Sequence, residues 1–116
     1  MSNSEQRPWG SFHVLEEGLG YKVKRIMVKP GGRLSLQSHR HRSEHWTIVE
    51  GLSTVTVNEN VVKLSCGESI HIPVGAKHRL ESLDGTALVV IEVQLGHVLT
   101  EDDIIRYDDV YARHDL

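Results

Sequence analysis

The sequence predicts an all-β fold, a small double-sheet barrel of the jelly-roll type. Turn-forming residues recur at intervals of roughly 8–12 residues, the spacing typical of all-β sandwiches and barrels. The runs between the turns are short and rich in Val, Ile, Leu and Thr, which favour strands. One of them, Ser53–Val57, alternates polar and apolar residues, as a half-buried antiparallel strand does. Many short strands of even spacing indicate a barrel or sandwich.

Strands are predicted between successive turns along the chain. In order they are Tyr21–Val28, Leu34–Gln37, Trp46–Val49, Ser53–Val57, Val61–Leu64, Ser69–Ile72, His78–Ser82 and Ala87–Val93. The one predicted helix is short and C-terminal, over Thr100–Tyr107. Thr100 and Asp103 resemble a capping box, and acidic residues favour the positive first turn of a helix. A second turn is predicted over Val110–Arg113.

The composition is that of an ordinary soluble globular chain, with 39% hydrophobic and 25% charged residues. Its 116 residues fit a single domain, 1–116. The net charge of −3 and the lack of long blocks of like charge argue against a nucleic-acid or membrane partner. The first residues are polar and no apolar run reaches transmembrane length. A single cysteine, Cys66, cannot form an internal disulfide, which agrees with a reducing cytoplasm.

Two blocks of regularly spaced residues indicate a metal site. The first, G-x5-Q-x-H-x4-E-x6-G, consists of Gly31, Gln37, His39, Glu44 and Gly51. The second, G-x5-P-x-G-x2-H, consists of Gly67, Pro73, Gly75 and His78. Gln37 and His39 are two residues apart, so on a strand both side chains leave the same face. Glu44 follows across a short turn over 40–43, and a tight turn at 73–75 precedes His78.

These four side chains offer two imidazole nitrogens, one carboxylate and one amide oxygen to a divalent cation. A mixed nitrogen and oxygen set of this kind leaves coordination positions open for water or substrate, as catalytic sites do. The alternative is a β-barrel that keeps the pattern without holding a metal.

The two blocks resemble the metal-binding motifs of the cupin superfamily, with glutamine where the first histidine usually stands. The residues around them resemble one subfamily, the type II phosphomannose isomerases. The stretches that carry this resemblance are Arg7–Gly10, Val23–Ile26, Leu34–Gln37, His41–Trp46, Glu92–Gln94 and Glu101–Tyr111. The resemblance implies a small double-stranded β-helix, the cupin barrel. It also implies a homodimer, because related cupins commonly pair by exchanging edge strands.

In that family the cupin usually forms the C-terminal domain of a bifunctional enzyme whose other domain is a mannose-1-phosphate guanylyltransferase. This sequence has no glycine-rich nucleotide-binding block. We therefore expect a free-standing isomerase domain without guanylyltransferase activity.

The resemblance implies an aldose–ketose isomerisation, the interconversion of mannose 6-phosphate and fructose 6-phosphate through a cis-enediol. Such a reaction needs a base, stabilisation of a developing oxyanion and an anchor for the phosphate. A divalent ion can polarise the carbonyl and hydroxyl oxygens. Zn²⁺ is favoured, and Mn, Co, Ni or Fe also suit the ligand set. The expected ligands are Gln37, His39, Glu44 and His78.

Glu92 is the favoured base because it is the one carboxylate inside the apolar run Leu88–Val93. A carboxylate in such a strand must be paired, must raise its pKa, or must face a polar cavity. A salt bridge at the strand end is the alternative. Lys24 and Arg106 are assigned to catalysis with Glu92.

The remaining candidates are assigned to substrate binding. Arg7 and Arg25 are expected to bind the phosphate, together with Lys24 and Arg106, since a guanidinium fork matches phosphate oxygens. His41 and His45 are expected to contact substrate, with metal binding or simple strand packing as alternatives.

Two other functions fit the same fold, because cupins host many activities. One is a non-catalytic, metal-containing sugar-binding or sensory cupin. The other is a metal-dependent oxygenase, which uses two histidines and one carboxylate. Gln37 argues against the oxygenase, because an amide ligand suits a redox-inert ion and proton transfer.

Overall fold

The computed structural model describes residues 4–108. Within this range there is no helix, and so none long and apolar enough to cross a membrane. The strands are β1 (Ser4–Arg7), β2 (Gly10–Gly18), β3 (Tyr21–Val28), β4 (Leu36–Ser38), β5 (Arg42–Glu50), β6 (Ser53–Val57), β7 (Asn60–Leu64), β8 (Ser69–Ile72), β9 (His78–Ser82), β10 (Leu88–Gly96) and β11 (Ile105–Asp108).

The strands form two antiparallel sheets. One has six strands in the order β1-β2-β3-β10-β5-β8, and the other has five in the order β11-β4-β9-β6-β7. The buried apolar core draws on both sheets, with Ile26, Ile48 and Val90 from the first and Val55 and Leu80 from the second. The sheets therefore pack face to face around one core, as predicted for a double-sheet barrel.

The inward face of the larger sheet changes from apolar to polar along its strands. The side chains that β10 turns inward are, in order, Leu88, Val90, Glu92 and Gln94. Those of β5 run the other way, from Arg42 and Glu44 to Trp46 and Ile48. Because the two strands are antiparallel, Val90 lies opposite Ile48 and Gln94 lies opposite Glu44. The polar inward residues therefore collect at one end of the barrel, and the apolar ones at the other.

The all-β prediction is confirmed, and several strands have the predicted bounds. Tyr21–Val28, Ser53–Val57, Ser69–Ile72 and His78–Ser82 agree with the structure residue for residue. The strand predicted over Trp46–Val49 begins earlier, at Arg42, so the turn predicted over 40–43 is limited to the bend at 40–41 and Glu44 lies within β5. β1 and β2 were not predicted, because their polar residues (SEQR and much of GSFHVLEEG) give no apolar pattern.

The predicted C-terminal helix is wrong. After a turn in which the Asp103 N–H donates to the Thr100 carbonyl at 3.2 Å, the chain extends into β11 and pairs with β4. A single short helix is marginal without packing, whereas pairing with β4 satisfies backbone groups on both strands. The second predicted turn, Val110–Arg113, lies outside the described residues.

Leu80 tests the core, because its side chain is fully buried on β9 against the opposite sheet. Leu80→Ala should lower the free energy of unfolding by about 2–5 kcal/mol, through lost burial and the cavity left behind. Leu19, in the β2–β3 turn, is fully exposed and serves as a control. Leu19→Ala should change the free energy of unfolding by less than about 0.5 kcal/mol. Urea titration of the wild type and both variants measures the two changes. Equal losses in the two variants would contradict this core.

Candidate metal centre

Three side chains from separate parts of the chain converge at the polar end of the barrel. Ligand atoms of His39, Glu44 and His78 all lie within 4.8 Å of one another, and all three residues are buried. His39 Nε2 is 3.2 Å from Glu44 Oε2, and His78 Nε2 is 3.9 Å from Glu44 Oε1. Three of the four predicted ligands are thus brought together, here called the His–Glu–His triad.

The turn predicted before His78 is present and links the two sequence motifs. Gly75 has a φ of 81°, which favours glycine, and its N–H donates to the His39 carbonyl at 3.0 Å. One residue further on, the Ala76 carbonyl accepts a hydrogen bond from His78 Nδ1 at 2.9 Å. The same turn therefore positions one imidazole of the triad and holds the backbone of the other.

Both imidazoles present Nε2 to the site because Nδ1 is occupied. His39 Nδ1 donates to the Asp103 carbonyl at 2.6 Å, just as His78 Nδ1 donates to Ala76. Burial, followed by the nearby Arg42 charge, lowers the pKa of His39 to about 4. Burial also lowers the pKa of His78. Neutral rings with Nε2 lone pairs turned inward are what metal coordination requires, and backbone acceptors on Nδ1 are the usual support for such ligands.

Glu44 is 1% exposed and accepts hydrogen bonds from its own strand. Trp46 Nε1 donates to Oε1 at 2.9 Å, and Arg42 Nε donates to Oε2 at 2.7 Å. Arg42 Nη2 also lies 3.2 Å from His39 Nε2. The donor set of two imidazoles and one carboxylate fits a divalent metal of the zinc type. A metal bound to His39 would take the Nε2 lone pair that accepts from Arg42 here, so Arg42 Nη2 would have to turn away.

Gln37 lies next to the triad and is engaged elsewhere through its amide nitrogen. On β4 it sits opposite His78 of β9 on one side and Arg106 of β11 on the other. Its Nε2 donates to Ser35 Oγ at 3.0 Å. Gln37 lines the same cavity as His39, and its role as a fourth ligand stays a prediction.

A cavity opens beside the triad, between the two sheets. Its charged lining consists of Arg7, Lys24, Arg42, Glu92, Glu101 and Arg106. Trp9 and Phe12 form an apolar wall, with Lys24 Nζ 4.0 Å from the centre of the Phe12 ring. The cavity combines an excess of cations with one deeply buried carboxylate, a combination suited to a small anionic ligand.

That carboxylate is Glu92, which is buried on β10. Gln94 Nε2 donates to Glu92 Oε1 at 2.7 Å, and Lys24 lies directly opposite on β3. Burial and then the charge of Glu44 raise the pKa of Glu92 to about 8, against the opposing effect of Lys24 and Arg42. A carboxyl group with such a pKa exchanges a proton near neutral pH.

Three predicted substrate-binding residues lie away from this cavity. Arg25 is exposed, because it alternates with the inward residues Lys24 and Ile26 on β3. His45 is also exposed and contacts His71, with ring centroids 4.6 Å apart. His41 is exposed and lines a separate depression near Asp102 and Asp103. Strand alternation gives Arg25 and His45 outward positions.

The family model described as "Mannose-6-phosphate isomerase C-terminal" matches residues 1–109 of this sequence. The chain belongs to this mannose-6-phosphate isomerase C-terminal family. It is 49% identical over 107 residues to the xanthan biosynthesis protein XanB of Xanthomonas campestris pv. campestris, covering 92% of the chain and 23% of that protein. It is 48% identical over 113 residues to the mannose-1-phosphate guanylyltransferase ManC of Salmonella typhimurium, covering 97% of the chain and 24% of that protein. The chain thus spans about a quarter of the length of these relatives.

Solved structures place the family member in the cupin fold. An RmlC-like cupin from Shewanella frigidimarina superposes with a TM-score of 0.76 at 22% identity, over 87% of each chain. An identity of this size supports the fold alone. The predicted double-stranded β-helix and the predicted family are both confirmed.

Sequence reasoning missed three polar residues at this site. Arg42 could have been found, since it stands two residues before Glu44 and therefore shares its face on β5. Glu101, which pairs with Lys24 Nζ at 2.6 Å, and Asp103, which accepts from His39, gave no such signal. Both belong to the segment predicted as a helix, and they reach the site only through long-range packing.

His78 tests the triad in this family member, with His45 as the matched control. His78→Ala removes one of three convergent ligand atoms and should lower bound Zn²⁺ at least about tenfold. His45→Ala removes an exposed imidazole on the outer face and should leave Zn²⁺ binding unchanged. Metal content after loading and desalting checks both. An unchanged metal content in His78→Ala, or a comparable loss in His45→Ala, would show that the metal is bound elsewhere.

Proposed function

We propose that this chain is a metal-dependent aldose–ketose isomerase that interconverts mannose 6-phosphate and fructose 6-phosphate through a cis-enediol. One observation carries the proposal: a buried carboxylate, Glu92, lines the same cavity as several cations and as His39, one member of the His–Glu–His triad. The family membership of residues 1–109 supports the substrate class.

The proton transfer is assigned to Glu92. Isomerisation moves a proton between C2 and C1 of the sugar, so a single base above the C1–C2 bond can remove it and return it to the adjacent carbon. Glu92 is held by Gln94 at 2.7 Å and by its place on a central strand, so its carboxylate has little freedom to move. Because Glu92 is also buried, a base in this fixed position would lose little of the proton to solvent.

The phosphate is assigned to the cations at the cavity wall. Lys24 on β3, Arg106 on β11 and Arg7 at the end of β1 belong to different elements and line one cavity. Arg106 lies opposite Gln37 on β4, so it is next to the triad. Cations from separate strands can hold a dianionic group from several sides and orient the sugar between phosphate and triad.

A divalent ion bound by His39, Glu44 and His78 would polarise the sugar's carbonyl and hydroxyl oxygens and stabilise the enediolate charge. Zn²⁺ is the favoured ion, since two imidazoles and a carboxylate match its preferences. Gln37 is the candidate for a further ligand.

The triad taken alone also matches the two-histidine, one-carboxylate pattern of non-haem iron oxygenases. The surroundings favour proton transfer on an anionic substrate instead, because Glu92 and the cation-rich wall have no evident task in oxygen chemistry. A sugar-binding or sensory cupin would use the same cations and triad without turnover. Glu92 is therefore the residue that separates an enzyme from a binding protein.

Glu92→Gln tests the assignment of the base. The amide has nearly the same shape, so fold and metal content should survive while the isomerisation rate falls roughly 10²- to 10⁴-fold. A coupled assay for fructose 6-phosphate and solvent exchange of the C2 proton should fall together, because both require the enediol. Glu81→Gln, a half-buried carboxylate on β9 outside the cavity lining, is the control.

Retention of both isomerisation and exchange in Glu92→Gln would place the base elsewhere. A wild-type protein that binds Zn²⁺ and mannose 6-phosphate but converts none of it would replace the enzyme proposal with the sensory one.

Lys24 and its neighbour Arg25 test the phosphate site as a matched pair. Both are cations on β3, but Lys24 is buried at the cavity and Arg25 points outward. Lys24→Gln should raise the KM for mannose 6-phosphate about tenfold or more, since a charge-assisted hydrogen bond to phosphate is lost. Arg25→Gln should leave KM unchanged. Steady-state kinetics measures KM for both variants. A larger rise in KM for Arg25→Gln than for Lys24→Gln would contradict the phosphate site at Lys24 and favour Arg25 as the phosphate ligand.

A further inference from the structure

Asp103 accepts hydrogen bonds from three consecutive residues, 39–41, the first of which is His39 of the triad. Its Oδ1 accepts the Arg40 N–H at 2.9 Å and its Oδ2 accepts the His41 N–H at 3.0 Å. Its backbone carbonyl accepts His39 Nδ1 at 2.6 Å. One residue in the segment between β10 and β11 therefore contacts the whole stretch that joins β4 to β5 around His39.

The side chain and the backbone of Asp103 act on His39 together. The carbonyl fixes which imidazole nitrogen carries the proton, so that Nε2 faces Glu44. That carbonyl stays in place because the carboxylate is anchored to two backbone N–H groups on the opposite segment. Burial alone would raise the pKa of Asp103, but the hydrogen bonds from Arg40 and His41 lower it below its ordinary value.

We propose that Asp103 is a positioning residue for metal binding, which sets the orientation and tautomer of His39 by clamping the 39–41 stretch. The inference rests on the proposed metal-dependent function and concerns a residue that touches neither metal nor substrate. The sequence pattern predicts that the same carboxylate caps a helix. In the structure the Asp103 carboxylate also accepts from backbone N–H groups, but they belong to Arg40 and His41 in the stretch between β4 and β5.

The test is Zn²⁺ affinity, measured by competition with a chromogenic chelator on the full chain. Asp103→Ala should weaken Zn²⁺ binding about 10- to 100-fold, the usual loss when support for a histidine ligand is removed. Asp103→Asn should fall between the wild type and Asp103→Ala, because the amide oxygen can accept one N–H while its NH₂ group cannot accept the other. Asp102→Ala is the matched control and should bind Zn²⁺ as the wild type does, since Asp102 is exposed and makes no hydrogen bond or ion pair within residues 4–108.

A second arm separates positioning from general damage to the fold. If Asp103 acts through His39, the penalty of Asp103→Ala should disappear in a His39→Ala background, since the ligand that it orients is already gone. The same penalty in both backgrounds would overturn the inference. So would an unchanged Zn²⁺ affinity in Asp103→Ala, or loss of cooperative urea unfolding in both Asp103 variants, which would make Asp103 a residue needed for folding.

The outcomes also separate this inference from the proposed function. A wild-type chain that binds Zn²⁺ without isomerising mannose 6-phosphate would overturn the function and leave the Asp103 result standing. A wild-type chain that isomerises mannose 6-phosphate, together with an unchanged Zn²⁺ affinity in Asp103→Ala, would support the proposed function and overturn the Asp103 inference. A wild-type chain that binds neither Zn²⁺ nor an ion of Mn, Co, Ni or Fe would overturn both.

Discussion

A buried carboxylate governs how the polar end of this barrel is built. Glu44 is 1% exposed, and an ionised group in such a place costs several kcal/mol unless it is paired and hydrogen-bonded. Its partners Arg42 and Trp46 lie two residues to either side, so strand alternation turns all three inward together. The two imidazoles complete the surroundings from other elements. A single strand thus supplies both the charge and most of its compensation, and the residues that approach from elsewhere must fit that arrangement.

The same alternation explains why the site lies at one end of the barrel. Each long inward row is divided, with polar residues at one end of β5 and at the opposite end of β10, and the antiparallel register brings these ends together. Leu80 and Val55, opposite one another in the smaller sheet, fill the apolar part. This part of the core stabilises the strands away from the site, whereas Trp9 and Phe12 extend the core to the wall of the cavity. The charged groups are held by strands that apolar packing has already fixed, so their geometry does not depend on their mutual attraction alone.

Most of the strands and the convergence of three candidate ligands could be predicted from the sequence, because both follow from local rules. Period-two alternation places Lys24 inward and Arg25 outward, and applying it to β3 would have separated the two. Residues 100–107 could not be predicted in this way. Their acidic start resembles a helix cap, but the exposed edge of β4 offers Ile105 and Arg106 backbone partners that an isolated helix lacks. Whether residues 100–107 form a helix or a strand depends on the position of β4 in the fold, and a local sequence pattern carries no information about that position.

The segment between β10 and β11 shows what such distant contacts contribute. Lys22 Nζ donates to the Leu99 carbonyl at 2.7 Å, Lys24 pairs with Glu101 at 2.6 Å, and Asp103 holds the backbone beside His39. The first two contacts join residues 77 positions apart in the chain. All three contacts are made by polar groups. The site therefore has one wall fixed by strand packing and another fixed by a few hydrogen bonds and ion pairs. Because these contacts lie outside the apolar core, we expect substitutions in the second wall to change the triad and the cavity cations more than the stability of the barrel.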